Sequence, residues 1–357
     1  MNSETKSFIK VWLLVIASLC YSNFIARKFP KGKFRLLSLL PIFVLFTLLP
    51  LNHSSLNLVG ITAFFIAWLA NFKLLLFSFD QGPLFSNPPI SILRFISIAC
   101  LPIKIKTYPS DPQFPPNIKI KDNPNSRIPT TKSPLNLAVK ALLFALLLRI
   151  YDYKHHIHPN VILVFYCCHV FLLLEIILAM GAALARALLG LELEPQSDEP
   201  YLSTSLQDFW GKRWNLMVTS ILRPTVYHPV RYLSGRLLGR EWALITAMIA
   251  TFVVSGLMHE LIFFYLTRAT PTWEVTWFFV LHGICTALEV LVKKWLTGRW
   301  RLHLMVSRLL AVGFVVATSI WLFYPQVIRN GVDVRVIEEY AVLVEKLKCS
   351  WVLRYGA

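Results

Sequence analysis

Charge is what this 357-residue sequence lacks most. Asp, Glu, Lys and Arg together make up 15% of it, against about 25% in soluble domains, and no hydrophilic stretch is long enough for a separate soluble domain. Acids are the scarcer sign, 19 against 36 basic residues, for a net charge of +17. That excess is scattered between apolar segments, which excludes the continuous cationic stripe of a nucleic-acid-binding surface. Membrane topology and anionic headgroups account for it instead. Cysteine is sparse too. The six cysteines stand singly or as the pair Cys167-Cys168 inside an apolar run, with neither zinc-ligand spacing nor the density of a disulfide scaffold, and read as packing residues. An internal repeat is also missing, which argues against the inverted-repeat design of many secondary transporters.

Apolar residues fill the space, at 56% of the chain with a mean hydropathy of +0.57. The fold class is therefore all-α: a polytopic transmembrane helical bundle forming one membrane domain over residues 1–357. Windows of about 20 apolar residues place spans near 8–25, 36–51, 56–79, 134–151, 160–184, 241–266, 272–292 and 304–324, about eight in all. The first reads as an uncleaved span rather than a secretory signal, because more spans follow. Ile90 to Ile103 carries Arg94 and is short, so it reads as an interfacial or re-entrant helix.

Loop charge alternates along this layout. Arg27, Lys28, Lys31, Lys33 and Arg35 fill the first connection, whereas Asn52 to Ser55 has no Lys or Arg. The 80–133 and 185–240 segments and Lys293 to Arg301 are basic, and the 152–159 and 267–271 connections hold one basic residue each. Basic loops face the cytoplasm, which puts both termini on the other side. The 102–134 segment carries eight prolines and reads as an extended cytoplasmic loop. The 195–240 segment mixes Phe209, Trp210, Trp214 and Tyr227 with Lys212, Arg213, Arg223, Arg231, Arg236 and Arg240, an interfacial composition.

His259 lies deep in the 241–266 span, and an ionisable side chain there is a functional candidate by default. Ser255 and Gly256 stand one turn before it, Ile262 and Phe263 one turn after. That face is small above and apolar below, so an acyl chain fits along it with its reacting end at the imidazole, a general base for a hydroxyl. The other reading is an interhelical hydrogen bond. The adjacent Glu260 makes no zinc motif, because a second histidine is missing, and Ser255 has no Gly-x-Ser-x-Gly elbow around it. His282, with Glu289 on the same face, and His169 and Glu175 read first as helix-pairing residues. His155, His156 and His158 read as a solvated connection rather than a metal site. Asn215 either caps a helix or presents an amide donor to an acyl carbonyl.

Taken together, Ser205-Leu-Gln-Asp-Phe-Trp-Gly-Lys-Arg-Trp-Asn215 and Ser255-Gly-Leu-Met-His-Glu260 resemble the membrane-bound O-acyltransferase superfamily, in particular its plant wax synthase branch. Sterol and diacylglycerol acyltransferase relatives tend to carry Phe-Tyr-x-Asp-Trp-Trp-Asn where this chain has Phe209 to Asn215. The resemblance implies an endoplasmic-reticulum enzyme that moves an acyl group from acyl-CoA to a lipid hydroxyl, with His259 and Asn215 as the paired active-site residues. It implies no metal and no cofactor. The expected partners are acyl-CoA, a long-chain fatty alcohol and membrane lipids, with no nucleic acid. Trp210, Trp214, Ser255, Gly256 and His282 are then candidates for substrate contact, and Lys212, Arg213, Arg223 and Arg231 for the CoA phosphates. A sterol or diacylglycerol acceptor is the alternative within this chemistry. A channel, transporter or scaffold is the alternative outside it.

Overall fold

The structure, a computed structural model, describes residues 3–106, 134–190, 193–296 and 302–355. The proline-rich loop lies outside the described residues from 107 to 133, as does the end of the basic 293–301 segment. In order, the helices are α1 (Ser3–Phe24), α2 (Lys33–Leu48), α3 (Leu56–Ser78), α4 (Ile92–Cys100), α5 (Pro134–Ile150), α6 (Pro159–Leu189), α7 (Leu216–Leu222), α8 (His228–Leu237), α9 (Arg240–Thr267), α10 (Glu274–Leu296), α11 (Leu304–Thr318) and α12 (Val332–Tyr355). Among the described residues β-structure is limited to one isolated bridge, Ile105 to Leu193. The chain is an integral membrane protein built as a helical bundle.

Seven helices among the described residues are long and apolar enough to cross a bilayer: α1, α2, α3, α6, α9, α10, and α11 with its continuation to Arg329. They match seven of the eight expected spans. The eighth, 134–151, forms α5, whose 17 residues reach about 25 Å at ~1.5 Å per residue, short of the roughly 30 Å hydrocarbon core. It nevertheless runs antiparallel along α6, with Lys140 bonded to Glu175 at 2.5 Å and Tyr151 beside Tyr166. The 90–103 segment forms α4, a nine-residue helix that buries Phe95 and Ile98 while Leu93 stays exposed. The fully buried Lys73 ammonium binds its last carbonyls, Ile98 O at 2.6 Å and Leu101 O at 2.7 Å, where the helix dipole favours a cation.

Polar residues clamp both ends of the bundle. At one end Glu339 of α12 caps the start of α3, accepting from Leu56 N at 2.6 Å and Asn57 N at 3.2 Å, and Glu4 accepts from Ser54 N. At the other, Arg35 is buried between Asp80 (2.5 Å) and Phe77 O (3.0 Å). Gly32 there adopts φ +93° and donates its N–H to Ser78 O. The basic 26–35 connection thus gathers at the end opposite the N-terminus and the 52–55 loop, as the charge alternation requires.

Glycine brings α9 and α10 together. A Cβ on Gly256 would stand 3.1 Å from Thr276 Cα, and one on Gly283 would stand 2.9 Å from Phe252 Cβ. Such small-residue contacts are how helices approach closely in lipid, where no hydrophobic effect drives them together. Outward faces are apolar, with Leu13, Leu309 and Trp321 exposed, as a hydrocarbon solvent demands.

Candidate active site

A cavity of about 980 Å³ opens inside the bundle, with walls supplied by α3, α6, α9, α10, α11, α12 and the 200–231 segment. His259 and Asn215 both line it. They lie 44 residues apart in the chain, and the fold brings them to one chamber.

Three aromatic rings fix the His259 imidazole: Phe279 at 4.3 Å, Trp68 edge-on at 5.1 Å and Phe323 at 6.0 Å. Its Nδ1 lies 2.7 Å from Ser255 O. A carbonyl only accepts, so Nδ1 carries the proton and Nε2 keeps its lone pair. No group among the described residues bonds Nε2. Ser255 therefore acts on the histidine through its backbone, and the residue stands at the cavity lining. Trp68 belongs to a π-helical stretch, Ala63–Ala70, a distortion that recurs at functional sites.

Asn215 sits in the left-handed region, φ +38°, which Asn tolerates better than other non-glycine residues. Its Oδ1 accepts from Val218 N at 3.3 Å and caps α7. Both functions weighed for it, cap and donor, are compatible in one side chain: the cap occupies Oδ1, and Nδ2 keeps two N–H donors with no partner among the described residues. An aspartate would cap equally well and donate nothing.

The 195–215 loop is stapled so that this residue stays in place. Leu216 N bonds Gln196 O and Trp214 N bonds Phe209 O, while the Phe209 and Trp214 rings stack at 5.5 Å. Arg213 is part of the staple. It pairs with Asp208 at 2.9 Å, donates to Asp198 O, and is absent from the cavity lining. Lys212, Arg223 and Arg231 are exposed and do line the cavity, so they mark its mouth. Trp210 and Trp214 line it as well.

Two of the expected substrate contacts stand behind the wall. His282 is fully buried. Its Nδ1 accepts from Trp210 Nε1 at 3.0 Å, and its Nε2 meets Thr318 Oγ1 at 2.8 Å. Both nitrogens are engaged, and the ring holds Trp210 rather than reaching the cavity. Gly256 likewise serves the α9–α10 contact that seats Phe279 against His259. Glu260 caps α10 through Trp273 N and Thr276 N, and Glu289 caps the 206 turn through Leu206 N. Trp68, Phe279 and Phe323 escaped the sequence reading because aromatics in apolar runs carry no signal of what they face. The π-helical stretch around Trp68 is visible only in the backbone.

The model of the membrane bound O-acyl transferase family matches residues 193–281, the segment from the Asn215 loop through His259 to α10. The long-chain-alcohol O-fatty-acyltransferase of Simmondsia chinensis is 51% identical over 344 residues, covering 96% of each chain. The chain belongs to the membrane bound O-acyl transferase family. It is an O-acyltransferase, and the likeness seen in two short segments extends over nearly its whole length. A probable long-chain-alcohol O-fatty-acyltransferase 3 of Arabidopsis thaliana is 48% identical over 99% of this chain and 98% of its own. The acyl-CoA–sterol O-acyltransferase 1 of the same plant is 48% identical over 94% of this chain and 95% of its own.

Proposed function

We propose that this chain transfers a fatty acyl group from acyl-CoA to the hydroxyl of a long-chain alcohol, releasing a wax ester and CoA, in the endoplasmic-reticulum membrane. One observation carries the reading: His259 offers a bare Nε2 to a large, mostly apolar cavity shared with the free amide of Asn215. Nε2 takes the alcohol proton as the oxygen attacks the thioester carbonyl. Asn215 Nδ2 donates to the developing oxyanion, an effect worth about 3 kcal/mol in comparable sites. The C–S bond then breaks, and the imidazolium returns its proton to the departing CoA sulfur. The step balances without a cofactor. Lys212, Arg223 and Arg231 receive the phosphates of CoA at the mouth, which on the loop charges opens to the cytoplasm.

Expression in a host lacking neutral-lipid acyltransferases tests this directly. Wax ester should accumulate when long-chain alcohol is fed, and a folded His259→Ala protein should make about 10³-fold less. A sterol acceptor is the second reading, favoured by the similarity to the sterol enzyme. Competition between a long-chain alcohol and a sterol in microsomes separates the two by the ester formed.

A further inference from the structure

The cavity has a second polar wall, on α6 and α12, that the transfer step does not use. His169 lies there, 7% exposed, between the rings of Tyr151 and Tyr340, each 5.8 Å from it, with Phe144 edge-on at 5.0 Å. His169 and Tyr340 line the cavity and Tyr151 stands against His169. Three atoms in this cluster are buried with no hydrogen-bond partner among the described residues: His169 Nδ1, Tyr151 OH and Tyr340 OH. Their neighbour Tyr166 differs, since its hydroxyl donates to Asp333 Oδ2 at 2.7 Å. Most buried polar groups in folded proteins find a partner, so three unpaired atoms in one cluster call for an explanation. With His169 and Tyr340 on the cavity wall and Tyr151 against His169, the cluster points to an occupant.

The chemistry of the three groups defines that occupant. None carries a fixed charge, which excludes a phosphate or carboxylate head. An alcohol hydroxyl has one hydrogen and two lone pairs, and the trio supplies one ring nitrogen to accept and two phenols to donate. The donor thioester is already provided for by the basic mouth and Asn215, and its tail is hydrocarbon. Resting on the proposed function above, we propose that Tyr151, His169 and Tyr340 form the docking site for the hydroxyl of the acceptor alcohol before it advances to His259. A single buried water is the competing occupant.

The test is equilibrium binding of tritiated 1-hexadecanol to the full chain in lipid nanodiscs, which needs no turnover, followed by initial rates with palmitoyl-CoA. His169→Phe and Tyr340→Phe should each weaken alcohol binding about tenfold and raise the KM for alcohol to match. The KM for palmitoyl-CoA should stay unchanged. His169→Asn, which restores an acceptor oxygen, should recover most of the loss. Unchanged alcohol binding in folded variants, or an equal rise in the KM for palmitoyl-CoA, overturns the assignment and leaves a water site. A wild-type chain that binds the alcohol through this trio yet forms no ester refutes the proposed function instead.

Discussion

Two histidines on neighbouring helices, His259 on α9 and His282 on α10, are both imidazoles inside a membrane span, and the fold treats them oppositely. His259 makes one hydrogen bond, to a carbonyl, and keeps a free nitrogen on the cavity. His282 has both nitrogens engaged and no cavity face. What separates them is the count of ring nitrogens left over after packing. Sequence position makes both intramembrane imidazoles candidates, His282 first as a helix-pairing residue, and the hydrogen bonds divide them into an acting residue and a supporting one.

The largest expected effect breaks this contrast outright. His259→Ala should lower kcat by about 10³-fold, in the range of lost general-base catalysis, with little change in thermal stability because the ring makes a single polar contact. Initial-rate assays with labelled acyl-CoA and a melting curve check both parts. Next is Asn215, where cap and donor can be pulled apart. Asn215→Asp keeps an oxygen for Val218 N and removes the donor, so kcat should fall about 10²-fold while the melting temperature holds. Equal losses in both measurements would make Asn215 a cap alone.

His282→Ala should show the opposite profile. It leaves the Trp210 N–H buried without an acceptor, at about 1–3 kcal/mol of stability, and kcat should stay within about tenfold of wild type. At the mouth, Arg223→Gln and Arg231→Gln should each raise the KM for acyl-CoA a few-fold without touching kcat, as exposed charges contribute about 1 kcal/mol or less. Arg213→Gln should instead lower stability, since that guanidinium holds Asp208 and Asp198 together.

The smallest effect concerns a third histidine, His53, in the loop between α2 and α3. Burial lowers its pKa, partly opposed by Glu4, whose Oε1 is 3.4 Å away. The unfolded chain therefore takes up this proton before the folded one does. His53 leaves stability intact above its ordinary pKa of about 6.5 and weakens it as pH falls below that value. The melting temperature should fall less between about pH 7.5 and about pH 5.5 in His53→Asn than in wild type.

The spans, the short α4 segment and the alternation of basic loops were legible in the sequence, because each depends on composition over a window. His259 and Asn215 were legible as candidates from residue type and context. The division of labour around them was not. Arg213 looks like Arg223 in the sequence, yet Asp208 five residues earlier turns it inward. Gly256 looks like part of a substrate face until Thr276 is found against it. The Glu339 cap on α3 joins residues more than 280 positions apart, beyond the reach of any local pattern. The α12 helix offers no long apolar run and so gave no span signal, although Tyr340 on it reaches the cavity.

The assignment of His259 as the base is tested most directly by single-turnover ester formation in nanodiscs with pre-bound acyl-CoA, comparing His259→Asn and His282→Asn proteins of matched folding. The expected result is a fall of about 10³-fold for the first and of less than about tenfold for the second. Comparable losses in the two variants, or near-normal ester formation by His259→Asn, would contradict it.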